Sequence, residues 1–250
     1  MIRVEHLPDP ARGVAEIILD RPEKRNALTP EMLREIVRAA DRCNDDDDVR
    51  TIVLRGEGRA FCAGFDLDLC RDDREVLPAL LRELSGAVRA LRRTRTPVVC
   101  AAHGGAIAGG CALLGGADIV VTDMRAKLGY PVTRLGISPA VTTPALCTSV
   151  TGSGARRLLL APTLVDGQTA QRLGLAHLVV ETPEDVIARA QIEAGKLARK
   201  PTGGLQATKA WMNQLDGTAD DHPFDRALEV SLSLSGGEEE RELLAQFWTT

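Results

Sequence analysis

Aromatic residues are nearly missing: one Tyr, two Trp and four Phe make up 3% of the 250 residues. A core must therefore come mostly from Leu, Val, Ile and Ala. No basic cluster interleaved with aromatics appears, and the net charge of −4 argues against nucleic acid as a partner. Histidine is scarce, and none of the four stands at zinc-ligand spacing from a cysteine. The six cysteines, Cys43, Cys62, Cys70, Cys100, Cys111 and Cys147, include no Cys-x-x-Cys pair. Four lie in apolar or Gly/Ala-rich runs, where cysteine acts as a small hydrophobe. This usage fits a reduced, cytoplasmic setting. Residues 1–6 lack the apolar run of a secretory signal.

One stretch, 97–117, carries no Asp, Glu, Lys or Arg. A membrane span needs about 20 predominantly apolar residues. This stretch holds His103 and six glycines and is closely bounded by Pro97 and Asp118, so it reads as a buried strand, a glycine turn and a buried helix. The four aspartates at 45–48 lack the alternating ligands and glycine of a calcium loop. They read as a solvated connection between a helix and a strand.

What is present is an alternation of strands and helices. Residues 14–20, 51–55, 97–102 and 118–121 read as strands. Thr29 with Pro30 is a helix start, and Leu33, Ile36, Val37 and Ala40 fall on one face. A long helix runs over about 75–93 with a stripe of Leu77, Leu80, Leu81, Leu84, Val88 and Leu91. Beyond Gly152 the pattern is mainly helical, with starts at 153–155, 166–168 and Pro183 and a last helix carrying Leu243, Leu244 and Phe247. An α/β core over 1–195 and a helical region over 196–250 are expected.

Two glycine turns carry the chemistry. The first is Ala60-Phe61-Cys62-Ala63-Gly64-Phe65-Asp66-Leu67, and the second is His103-Gly104-Gly105-Ala106-Ile107-Ala108-Gly109-Gly110-Cys111-Ala112-Leu113. Each hands a strand to a helix. Gly64 would leave the Phe65 N–H free, and Gly109 would free a second N–H at a helix start. Two such donors aimed at one carbonyl oxygen make an oxyanion hole. The same glycines could instead serve close packing alone.

Several ordered segments tip that balance. They include Arg21-Pro22-Glu23-Lys24-Arg25-Asn26-Ala27-Leu28, both glycine turns, Ala126-Lys127-Leu128-Gly129, Leu135-Gly136-Ile137-Ser138-Pro139 and Ala170-Gln171-Arg172-Leu173-Gly174-Leu175. Together they resemble the crotonase (enoyl-CoA hydratase/isomerase) superfamily across nearly the whole chain. The resemblance implies a spiral of ββα units with a helical C-terminal trimerisation region, and a homotrimer or a dimer of trimers. It implies an acyl-CoA thioester as ligand, with no cofactor beyond the coenzyme A of the substrate, no nucleic acid and no membrane. Carried over by position, the oxyanion donors are Phe65 and Gly109. Lys24, Arg25 and Ala27 would lie along the CoA nucleotide. Ala63, Asp66 and Leu67 would flank adenine and pantetheine, and Tyr130 and Val132 would border the acyl group.

The chain departs from the family at two points. Hydratases of the family carry a Glu where this chain has Ala112, and a second where it has Val132 in Gly129-Tyr130-Pro131-Val132. Positioned acid–base groups supply about 10²- to 10⁴-fold in rate, and neither Ala nor Val can replace them. Polar substitutes are Asp68, His103, Tyr130, Ser138, Thr142 and Thr143. Asp68 reads as a solvated acid, His103 as a structural group, and Tyr130 as a donor or a packing residue. Three functions stay open: a hydratase/isomerase-class enzyme with unusual acid–base groups, a decarboxylase-type enolate-forming lyase, and an acyl-CoA binding protein without turnover.

Overall fold

The computed structural model describes residues 1–9 and 11–249. Its main sheet has six strands in the order β1-β2-β3-β4-β6-β8: β1 (Ile2–His6), β2 (Val14–Leu19), β3 (Thr51–Gly56), β4 (Val98–Ala102), β6 (Ile119–Asp123) and β8 (Leu178–Val180). Only the β1–β2 pair is antiparallel, with Ile2 opposite Leu19. The other pairs are parallel. A second, two-stranded sheet joins β5 (Gly105–Ile107) to β7 (Lys127–Gly129).

Side chains alternate between the faces of a strand, and the core divides accordingly. Ala15, Ile17, Leu19, Ile52, Leu54, Val98, Cys100 and Ala102 join the larger cluster. Helices α1 (Pro30–Asp45) and α2 (Val76–Arg93) cover that face. Thr29 caps α1 by accepting from Met32 N–H at 3.1 Å, and the whole expected stripe of α2 is buried. On the other face, Val14, Val53, Val99, Ala101 and Val121 meet Val186, Ala190, Ala194 and Ala198 of a helix at Glu184–Ala198.

The remaining helices in chain order are α3 (Gly109–Leu113), α4 (Thr143–Ser149), α5 (Gly152–Leu160) and α6 (Gly167–Leu173). The helix just described, α7, follows, and then come α8 (Thr202–Leu215), α9 (Asp221–Leu232) and α10 (Glu238–Thr249). Short 3₁₀ turns at Pro22–Lys24, Leu67–Cys70, Pro131–Leu135 and Pro139–Thr142 punctuate them. Residue 195, the expected end of the core, lies inside α7. The C-terminal helices fold back: α9 packs on Pro139–Thr142 and α2, and α10 on Pro131–Leu135. Among the described residues no helix is long and apolar enough to cross a membrane.

Candidate active site

The two glycine turns are stitched together by main chain. Phe61 N–H donates to His103 O at 2.9 Å, Cys62 N–H to Gly105 O at 3.0 Å, and Ile107 N–H back to Cys62 O at 3.0 Å. Gly64 sits at φ +100°, and a Cβ there would stand 3.0 Å from Ile107 O. Both facts require glycine. Leu28 N–H donates to Gly64 O and Asp66 N–H to Leu28 O, the two bonds of a parallel bridge that straddles Phe65. In such a bridge the middle residue turns its own N–H the other way, and Phe65 N–H has no protein acceptor among the described residues.

Gly109 is the first residue of α3, and its N–H likewise has no protein acceptor among the described residues. Gly110 answers to packing: a Cβ there would lie 2.8 Å from Cys62 Sγ. Ahead of Gly109, Ala108 adopts φ 52°, ψ −114°. A non-glycine residue in so sparse a region costs about 1–3 kcal/mol and needs its surroundings to hold it. Here Ala108 N–H donates to Gly129 O at 2.8 Å, and Ala108 O accepts from Ala112 N–H at 2.9 Å. An Ala before Gly-Gly carries no sequence signal for this, and sequence reasoning missed it.

The loop ahead of α1 is held by two buried polar devices. Asn26 is fully buried at φ 55°; its Nδ2 donates to Glu57 O, Ala60 O and Phe61 O, and its Oδ1 accepts from Arg21 N–H. Arg21 Nη1 donates to Asp66 Oδ2 at 2.6 Å and to Ala27 O at 3.1 Å. Asp66 is therefore a buried brace between the loop and the first turn.

These segments enclose a cleft of about 390 Å³, within the range of small-molecule sites. Lys24, Arg25, Ala27, Ala63, Phe65, Asp66, Leu67 and Val132 all line it, so the structure brings eight of the ten expected residues to one wall. Ile107, Ala108, Leu135 and Ile137 add apolar surface, and Phe247 arrives from α10. Glu23 and Asp68 complete the charged part. Gly109 lies behind the wall, against the Phe65 ring.

Tyr130, which like Gly109 is absent from the lining, corrects the expectation of a substrate-contacting residue. It is 1% exposed, and its hydroxyl donates to Cys111 O at 3.2 Å. Burial holds its pKa well above the ordinary phenol value. It packs behind α3 and does not line the cleft.

The other polar candidates also find structural tasks. Asp68 is half-exposed and pairs with Lys24 Nζ at 3.0 Å, and that bond holds its pKa below the usual carboxylate value. His103 is buried, with Nε2 on Gly58 O at 2.9 Å. Thr142 donates to Pro139 O, Thr143 to Ala140 O, and Ser138 accepts from Ala140 N–H. Ala112 is 2% exposed within α3, while Val132 faces the cleft. All titratable side chains of the wall thus come from 23–25 and 66–68, and none from 107–137.

Residues 9–239 match the family model described as enoyl-CoA hydratase/isomerase. The chain is 32% identical over 224 residues to 1,2-epoxyphenylacetyl-CoA isomerase of Escherichia coli, covering 86% of this chain and 84% of that protein. It is 30% identical over 229 residues to crotonyl-CoA hydratase of Syntrophomonas wolfei, covering 89% and 85%. Among solved structures, an enoyl-CoA hydratase/isomerase from Xanthobacter autotrophicus is similar at a TM-score of 0.88 and 27% identity, covering 99% of this chain and 93% of that one. The family expected from the motifs is the family found, with its mixed α/β fold. With a family match over nearly its whole length and relatives of this identity and coverage, the chain belongs to the enoyl-CoA hydratase/isomerase family.

Proposed function

We propose that the cleft binds an acyl-CoA thioester and that the N–H groups of Phe65 and Gly109 hold its carbonyl oxygen as negative charge builds there. The observation that carries this reading is that both N–H groups, on turns tied together by main chain, lack an acceptor among the described residues. Backbone donors away from water are nearly always paired, so two open ones beside a cleft favour a bound oxygen. Such fixed donors are worth about 3 kcal/mol each in transition-state stabilisation. Lys24 and Arg25 face the phosphates, and Ala27, Ala63, Asp66 and Leu67 border the nucleotide and pantetheine. Val132 and its apolar neighbours surround the acyl chain. No cofactor beyond the substrate's own coenzyme A enters this reading.

On this reading the chain is an enzyme of its family that forms a thioester enolate without the usual pair of carboxylates. The test is turnover of crotonyl-CoA and longer enoyl-CoA thioesters. Inactivity on all of them overturns a hydratase or isomerase role.

A second reading is favoured by the wall at 107–137, which carries no titratable group. Decarboxylation asks least of such a wall. The bond from Cα to the carboxylate carbon breaks, its electron pair becomes the thioester enolate, carbon dioxide leaves, and water returns a proton to Cα. Carbon dioxide release from malonyl-CoA or methylmalonyl-CoA tests it. Micromolar binding without turnover of either panel points instead to a binding protein.

The reading places the chain in the cytoplasm, supported by its six unpaired cysteines, as a homotrimer or a dimer of trimers. Trp211, Met212 and Leu215 of α8, each more than half exposed, support burial between copies. Light scattering of the purified chain checks the assembly.

A further inference from the structure

Next to the cleft lies a second cavity of about 200 Å³. The turn Leu67–Cys70 and the end of α10 separate the two. Leu67, Asp68 and Phe247 line the cleft, while Cys70, Arg71 and Trp248 line the cavity. Leu77 and Leu244 give it an apolar floor.

Three guanidinium groups, those of Arg71, Arg74 and Arg241, border this cavity. All three residues are exposed. Among the described residues neither Arg74 nor Arg241 forms an ion pair; Arg241 Nε donates to Gly237 O at 3.2 Å. Arg71 has a carboxylate oxygen no nearer than that of Asp68, at 3.9 Å, and its guanidinium stacks 5.6 Å from the Trp248 ring. The Trp248 Nε1 is buried and has no acceptor among the described residues. A buried donor left open costs the free energy of its lost hydration, so an oxygen acceptor from a ligand would be favoured here. The one carboxyl in the wall is Glu240, buried and accepting from Gly236 N–H at 3.3 Å. Burial pushes its pKa up, against the opposing pull of Gly236 N–H and Arg241.

We propose that this cavity is a binding site for a phosphate-class oxyanion, with Arg71, Arg74 and Arg241 as its charge partners and Trp248 N–H as a neutral donor. Guanidinium forks match tetrahedral oxyanions with paired, charge-assisted bonds. The cavity's volume is below that of sites for whole drug-sized ligands and suits one phosphate group. Two sources share this chemistry: a free anion, and a terminal phosphate of coenzyme A in the adjoining cleft. The second source rests on the acyl-CoA reading above.

The test is calorimetric titration of the full chain with inorganic phosphate, coenzyme A and dephospho-coenzyme A, using wild type, R74Q/R241Q and W248F. Phosphate is expected to bind wild type and to weaken by about tenfold or more in R74Q/R241Q, the effect of losing charge-assisted bonds. W248F, which keeps an aromatic ring but lacks the N–H, is expected to weaken it several-fold and carries the test if the double variant fails to fold. Loss of coenzyme A affinity in these variants, with dephospho-coenzyme A unaffected, assigns the site to the substrate's own phosphate. Loss for phosphate alone assigns it to a free anion. Equal affinities of all three ligands in wild type and variants overturn the proposal. Arginine-dependent phosphate binding in a chain that does not bind coenzyme A overturns the acyl-CoA reading and leaves this site standing.

Discussion

The ring of Phe65 lies on Gly109 so closely that a Cβ at position 109 would stand 2.9 Å from Phe65 Cε1 and 3.1 Å from Cδ1. The two backbone groups proposed as oxyanion donors are therefore coupled through one side chain. Gly109→Ala forces the ring to move and shifts α3 or the first turn with it. Its expected effect is about 10²-fold less stabilisation of an enolate. Phe65→Ala in the same chain keeps both N–H groups and removes the clash, so it restores most of the loss. The enolate absorbance of bound acetoacetyl-CoA reports this directly. A double variant no better than Gly109→Ala alone would mean that the ring contact is not the cause.

Val132 is the position where a base can be installed. It faces the cleft, whereas Ala112 is sealed in α3. Val132→Glu is expected to fold and to raise crotonyl-CoA hydration by about 10²-fold or more over wild type. Ala112→Glu buries a carboxylate without a partner and is expected to destabilise by about 2 kcal/mol or more. Hydration kinetics and urea unfolding separate the two outcomes.

Asn26 is expected to matter for stability more than for binding. Asn26→Ala strips three carbonyls, that of Phe61 buried and those of Glu57 and Ala60 part-buried, and one N–H of their partner, and places Ala at φ 55°. A loss of about 2–4 kcal/mol in urea unfolding is expected, the sum of unsatisfied groups and backbone strain. Asn26→Asp keeps the shape but sets a carboxylate against those carbonyls, so it is expected to be no better.

The cysteines give a pH dependence. Burial pushes Cys62 and Cys111 up to about 12, and Cys43 and Cys70 up to about 11, from an ordinary value of 9.0. A folded pKa above the unfolded one contributes stability that is complete below pH 9 and is lost as pH rises through the folded value. The urea midpoint is therefore expected to fall steadily above pH 9. At pH 8 an aromatic disulfide reagent is expected to modify Cys147, the exposed thiol, and to reach the other five only on unfolding. Rapid labelling of Cys62 in the native chain would contradict this.

How much of this was legible in the sequence follows from the range of the forces involved. The stripe of α2 and the Thr29-Pro30 start are local patterns, and both were readable. Strand β1 escaped notice because its pattern is half charged and it sits at a sheet edge. β5 and β7 are three residues each, too short for any periodicity. α8 begins Thr202-Gly203-Gly204 and exposes Trp211, Met212 and Leu215, so no stripe faces the core. In the site, the glycine turns named Phe65 and Gly109, but the Arg21–Asp66 pair joins residues 45 apart. The strain at Ala108 and the arrival of Phe247 are products of tertiary packing alone. Tyr130 was misplaced because adjacency to Val132 in sequence does not say which side of α3 a ring takes.

The bonds that tie residues 61–62 to 103–107 run from main chain to main chain. Side-chain chemistry contributes nothing to them beyond the glycines that let the two turns meet. The pair of turns is therefore a socket fixed independently of most of the side chains that line it. A socket built this way does not depend on the side chains at positions 112 and 132. For engineering, a cleft-facing position such as Val132 can be changed without touching the bonds that hold the two turns together.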